Sequence, residues 1–146
     1  MTKDEYYLSI AKAVAGKSKC LKKHYGAIIV KNDEIVATGY NGCCRGDPEC
    51  IVCTKTDGNK DEAEYRVCPA VHAEQNCIIS ASRQEMLGAC LYLYGYDVEK
   101  EKDAEIVRPC EICKRLIKNA GISRVLTSTE EEFLFNANNR DSSSRQ

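Results

Sequence analysis

At 146 residues, with 21 Lys+Arg against 22 Asp+Glu, a formal net charge of −1 and a pI near 6.2, the chain lacks the basic balance of a protein that mainly grips nucleic acid. No apolar run approaches the roughly 18 residues of a membrane-spanning helix, and the charged start Met1-Thr2-Lys3-Asp4-Glu5 leads into no signal-like apolar stretch. A cytosolic protein with no membrane partner is expected, and its ten cysteines then point to metal binding or catalysis ahead of disulfides.

The elements follow in chain order. Thr2 and Glu5 form a capping box, and Tyr6, Ile10, Ala13 and Val14 recur at helical spacing, which predicts an amphipathic helix over 3–18 with Gly16 unsettling its last turn. Two β-branched, apolar runs, 25–30 and 34–40, flank Lys31-Asn32-Asp33 and read as an antiparallel hairpin. From Asn41 to Pro69 the pattern dissolves into Gly, Pro, Asp, Asn and cysteine, and so long a loop in a small domain is usually functional or pinned by something such as zinc. Ala73, Cys77, Ile78 and Ala81 predict a helix over 71–83, which sets His72 at its start.

Leu91-Tyr92-Leu93-Tyr94 reads as a third strand, and the acidic stretch 97–105 as a solvated loop. A helix is expected over 110–120, stopped by Gly121, then a short strand over 124–128 and a last helix over 130–138 with an acidic first turn. The polar tail 141–146 is expected to fray, leaving one domain over 1–140. This order of elements implies an α/β fold with a mixed sheet, helices on both faces and a parallel crossover between the third and fourth strands.

The chemistry concentrates in His72-Ala73-Glu74 and Pro109-Cys110-Glu111-Ile112-Cys113. In the first turn of a helix Cys110 and Cys113 face the same side, where the N-terminus favours thiolates. Taken alone, a Cys-x-x-Cys pair is equally a structural zinc knuckle or a redox pair, and His72 alone is a core histidine. Together the two segments match the known signature of zinc deaminases. His72, Cys110 and Cys113 would be the three ligands of a catalytic zinc, and Glu74, not a ligand, would carry protons.

The wider sequence resembles the cytidine and deoxycytidylate deaminase superfamily, nearest to its deoxycytidylate branch. The matching stretches are Ser18-Lys19-Cys20, Gly26-Ala27-Ile28-Ile29-Val30, Thr38-Gly39-Tyr40-Asn41-Gly42, His72-Ala73-Glu74-Gln75-Asn76, Pro109 to Cys113 and Asn119-Ala120-Gly121-Ile122. The resemblance implies a three-layer α/β/α sandwich, zinc, conversion of dCMP to dUMP with release of ammonia, and homo-oligomers, often hexamers. It also implies that Asn41 meets the nucleotide near its sugar and that the backbone at Ala73 positions the base. Arg45, just after Asn41, is a candidate for the 5′-phosphate, with a solvated loop arginine as the equal alternative. A second, structural zinc is implied at Cys20, Cys50, Cys53 and Cys68, with Cys43 or Cys44 able to replace one of the four. Cys77 and Cys90 are assigned to the core.

Two departures bear on specificity: residues 95–108 are inserted ahead of Pro109, and Cys43-Cys44 stands where a small residue and Pro often follow Asn-Gly. The competing readings are a base deaminase acting on tRNA or single-stranded nucleic acid, which needs a basic or aromatic groove, and a noncatalytic zinc module, which has no use for Glu74.

Overall fold

The computed structural model describes residues 1–53 and 68–135. Helix α1 (Lys3–Ala15) is opened by the Thr2–Glu5 capping box and closes at Gly16, three residues short of the predicted end. Strands β1 (Lys23–Lys31) and β2 (Glu34–Tyr40) form the expected hairpin. Asn32 and Asp33 both have positive φ, the geometry that matches the twist of a two-residue hairpin.

Beyond β2, β3 (Gly42–Cys43) pairs antiparallel with β4 (Ala70–Val71), a small separate ladder that no periodicity announces. The predicted helix over 71–83 is two helices, α2 (Ala73–Ile79) and α3 (Arg83–Met86). Ser82 accepts from the Glu85 amide and Glu85 accepts from the Ser82 amide, so a second capping box restarts the helix where periodicity alone reads straight through.

Strand β5 (Cys90–Asp97) runs three residues beyond the predicted 91–94, and β6 (Lys102–Asp103) folds back along its end. The acidic stretch 97–105 is largely exposed, as a solvated loop should be, but it is tied back along β5. Tyr94 donates its hydroxyl to Asp103, the Ala104 amide donates to the Gly95 carbonyl, and Val107 is fully buried. Helix α4 (Glu111–Ala120) ends on Gly121 at φ +94, as predicted, and leads into β7 (Arg124–Thr127).

The last predicted helix is corrected to a strand, β8 (Glu132–Leu134), antiparallel to β7. Glu130 at φ +64 turns the chain, Phe133 packs onto the core while Glu132 and Leu134 face outward, and Arg124 holds Glu132. Alternation against a neighbouring strand outweighs the helical preference of a glutamate run. Positions 136–138 and the tail 141–146 lie outside the described residues.

The main sheet runs β2-β1-β5-β7-β8, with β6 beside the far end of β5; β5 and β7 are parallel and the other pairs antiparallel. It is covered on both faces, which is why Gly26 to Val30 is buried without interruption. Ile28, Val30, Tyr92 and Tyr94 meet Tyr7, Ala11 and Ala15 of α1, whereas Ala27, Ile29, Leu91 and Leu93 meet Cys77 of α2 and Ile117 of α4. Each fully buried Ile or Leu contributes roughly 1.5–3 kcal/mol. These are the three layers and mixed sheet expected from the sequence.

Arg124 also clips α1 to the sheet through both oxygens of Asp4, at 2.9 and 3.0 Å. Arg124 and then Tyr92 hold the Asp4 carboxyl below its ordinary value of 3.8. A carboxyl depressed in the folded state stabilises above its unfolded value and loses that contribution as pH falls through the folded one. Asp4→Asn is therefore expected to cost about 1 kcal/mol at pH 7, a figure kept small because Asp4 is partly exposed. The difference from the parent should shrink below about pH 4, read from urea unfolding across the acid range.

Candidate active site

His72 is the residue between β4 and α2, with the extended backbone of a helix N-cap, φ −74 and ψ 153. Cys110 occupies the same position at α4, where its sulfur accepts from the Cys113 amide at 3.4 Å. The two helices lie against each other on one face of the sheet and bring these starts together. His72 Nδ1 stands 3.3 Å from the Cys113 sulfur and 3.7 Å from that of Cys110, and the three ligand atoms all lie within 4.8 Å of one another.

That spacing fits zinc. Bonds of about 2.3 Å to sulfur and about 2.0–2.1 Å to nitrogen, at tetrahedral angles, place nitrogen and sulfur about 3.5 Å apart. Cys113 is buried, His72 half-buried and Cys110 exposed, so the group opens to solvent on one side, as a centre that keeps one position for a reactant must.

Glu74, two residues into the helix start, is only 5% exposed. Burial pushes its carboxyl up from the ordinary value, while its own backbone N–H and the Cys113 thiol pull against that shift. Burial, and then the facing Glu74, likewise push the Cys113 thiol up. A carboxyl of raised proton affinity beside three metal-type donors is suited to taking and returning a proton near neutral pH.

Helix α2 sits so close to β2 that only glycine fits at 39. A Cβ there would lie 2.5 Å from the Cys77 nitrogen and 2.6 Å from the Ala73 carbonyl oxygen, both backbone atoms that cannot step aside. Asn76 ties the same turn to the end of β2 by donating to the Tyr40 carbonyl at 2.8 Å. Gly39→Ala is expected to cost about 3 kcal/mol through overpacking, and to lower zinc content as well as melting temperature because α2 carries His72.

The other predicted residues divide. Ala73 is fully buried in the first turn of α2. Asn41 is buried with its amide committed to β1, Nδ2 donating to Lys23 O at 3.0 Å and Oδ1 accepting from the Tyr25 amide at 2.8 Å. Its carbonyl accepts from Ser18 Oγ at 2.9 Å. Arg45 lines a cavity of about 320 Å³ together with Lys17, Lys19, Asn41, Val71 and Asn76. Asp47 and Glu49 line it as well, against the three cations, and Val71 and Asn76 bracket His72 in sequence, so this charged cavity adjoins the metal-type group without sharing its ligands. Lys17 was not singled out from the sequence, and Lys19 only as part of Ser18-Lys19-Cys20; the signal was their place around Ser18, the residue that fastens this segment to Asn41.

In the cysteine loop, Cys43 and Cys50 have their sulfurs 3.7 Å apart. Cys43, then burial, and then the nearby Cys20 and Cys68 push the Cys50 thiol up. Cys53, half-buried, ends the described part of this loop. Among the described residues, His72, Cys110 and Cys113 are the one group of three or more candidate ligands closed to within 4.8 Å. Cys77 is buried in the core as expected, and Cys90 is half-buried beside Arg124.

Residues 1–129 match the family model of the cytidine and deoxycytidylate deaminase zinc-binding region. The chain is 36% identical over 133 residues to a deoxycytidylate deaminase of Mycobacterium phage D29, covering 87% of this chain and 94% of that one. It is 31% identical to the deoxycytidylate deaminase of Saccharomyces cerevisiae, covering 86% of this chain but 37% of the yeast protein, so it spans little more than a third of that relative. Among solved structures it resembles the dCMP deaminase of cyanophage S-TIM5 in complex with dCMP and dUMP, with a TM-score of 0.59, 27% identity and coverage of 84% and 78%.

Proposed function

The chain belongs to the cytidine and deoxycytidylate deaminase family, and we propose that it is a zinc-dependent hydrolase converting dCMP and water to dUMP and ammonia. The observation that carries this reading is the convergence of His72, Cys110 and Cys113 at zinc spacing with the buried Glu74 beside them. The phage relative of nearly the same length, named as a deoxycytidylate deaminase, and the dCMP- and dUMP-bound cyanophage enzyme support the choice of substrate.

His72, Cys110 and Cys113 would hold the metal, and zinc there would supply a water acidified to near neutrality. Glu74 would take one proton from the attacking water as its oxygen adds to C4 of the cytosine ring and pass it to N3, then take the remaining proton from the new C4 hydroxyl and give it to the 4-amino group, so that C4=O forms as the C–N bond breaks and ammonia leaves. Its burial keeps bulk water from competing for that proton. Ala73 positions the base through its backbone. Asn41 forms the sugar side of the pocket, held there by its bonds to β1, and Arg45 takes the 5′-phosphate with Lys17 and Lys19 close by. The balanced overall charge argues against a nucleic-acid substrate.

The protein acts as a single cytosolic domain over 1–140 that assembles as a homo-oligomer, with a hexamer as the expected state. A second, structural zinc is held by the cysteine loop. Cys20, Cys50, Cys53 and Cys68 would be its ligands, with Cys43, whose sulfur lies 3.7 Å from that of Cys50, able to replace one of the four. Elemental analysis is expected to find two zinc ions per chain, falling to one in Cys50→Ser and to one in Cys110→Ser.

The test of the activity is an ammonia-release screen over free bases, nucleosides, mono- and triphosphates and a tRNA anticodon stem. Preference for dCMP is expected. Preference for the RNA or for a free base overturns the substrate, and no release from any of them overturns the enzyme.

A further inference from the structure

Among the described residues, three helix starts carry the back-reaching arm of a capping box, in which the third helical residue's side chain accepts the N-cap N–H. At α1 and α3 the third helical residue is Glu5 or Glu85, and its carboxylate accepts the backbone N–H of Thr2 or Ser82. At α2 the N-cap is His72, and the residue in the equivalent place is Gln75, whose Oε1 accepts the His72 N–H at 2.8 Å. The first two boxes serve surface helices. The third holds the backbone of a residue whose ring nitrogen stands 3.3 and 3.7 Å from two sulfurs.

We propose that Gln75 is a positioning residue of the metal centre: by accepting the His72 N–H across the first turn of α2, it fixes the rotation at which the imidazole meets Cys110 and Cys113. The inference rests on the zinc reading above and deepens it. His72 follows a strand of only two residues, so the β3–β4 ladder restrains it weakly. Its N–H is one of the orphan donors of a helix start, and without an acceptor its backbone is free to turn the ring away. Asn76 anchors α2 to β2 through its side chain, and its amide donates to the His72 carbonyl at 3.0 Å, so the helix ladder holds the carbonyl end of the N-cap while Gln75 holds its N–H end. Histidine is also a weak capping residue, and here its ring is needed for the metal, so the Gln75 arm of the box restrains the N-cap without engaging the ring. A neutral amide supplies it without setting a second carboxylate beside Glu74.

The experiment is zinc affinity by competition with a chelating dye, the relevant site being identified by its loss in Cys110→Ser. Gln75→Met keeps the side-chain length and removes the acceptor, and is expected to weaken zinc binding 10- to 100-fold. Gln75→Glu restores the acceptor and is expected to bind within threefold of the parent. Glu85→Ala breaks the same motif away from the metal, and is expected to lower the melting temperature with zinc affinity unchanged. Gln75→Met binding within threefold of the parent, or Glu85→Ala weakening zinc as strongly, overturns the positioning role. A parent protein that shows no zinc site lost in Cys110→Ser overturns the underlying metal reading, a failure visible without any change at Gln75.

Discussion

Glu74→Gln is expected to lower kcat on dCMP about 10⁴-fold while zinc content, substrate affinity and fold stay those of the parent. One carboxyl serves in both proton steps, so its loss removes general base and general acid together. The effect should sit at the upper end of the range for such catalysis, about 5.5 kcal/mol of transition-state stabilisation. Glutamine has nearly the same volume and keeps an oxygen to accept from the residue's own backbone N–H, and Glu74 is not one of the three clustered ligands. Removing a carboxyl whose burial already raises its proton affinity should leave the melting temperature unchanged or higher, the pattern of a group kept for function at some cost to stability. Steady-state kinetics, elemental analysis and a melting curve on one preparation check all of this. Full activity would remove Glu74 from the mechanism, and loss of zinc would make it part of the metal site.

The metal-type group was legible in the sequence because each half is local. Cys110 and Cys113 are placed by one helical turn, and His72 by the start of another, so only the meeting of the two starts depended on the fold. The hairpin and the third strand followed from apolar runs that are buried on both faces. What stayed hidden depended on distant partners. Glu130-Glu131-Glu132 reads as an acidic helix start until β7 offers Phe133 a place in the core and Arg124 a partner for Glu132. The β3–β4 ladder pairs Cys43 with Ala70 across an intervening loop, over stretches too short to show a period. By contrast, the break between α2 and α3 was written plainly in Ser82 and Glu85, and was lost to the apolar periodicity running across it. Asn41 shows a different limit: spacing marks its position, but only the structure shows its amide spent on β1.

Cys113→Ser is the second change of large effect, and it separates the metal from the carboxyl in the opposite way. Cys113 is the fully buried member of the group, lying against Glu74 on one side and His72 on the other. A serine hydroxyl fills most of its space, but it is a far poorer zinc donor at neutral pH than a thiolate, and His72 and Cys110 alone do not make a catalytic site. Zinc content is expected to fall by one equivalent and activity by at least about 10⁴-fold, without recovery in excess zinc. The fold should persist, because the described core on both faces of the sheet is built from aliphatic and aromatic side chains and not around the ion. A bound ion present at 1,000 times its Kd stabilises by about 4 kcal/mol, so stripping the parent with a chelator should cost it stability that the variant has already lost. Fluorimetric melting with and without chelator reads that difference. A variant that keeps the full chelator response together with activity would show that Cys113 does not hold the metal, whatever its distance from His72.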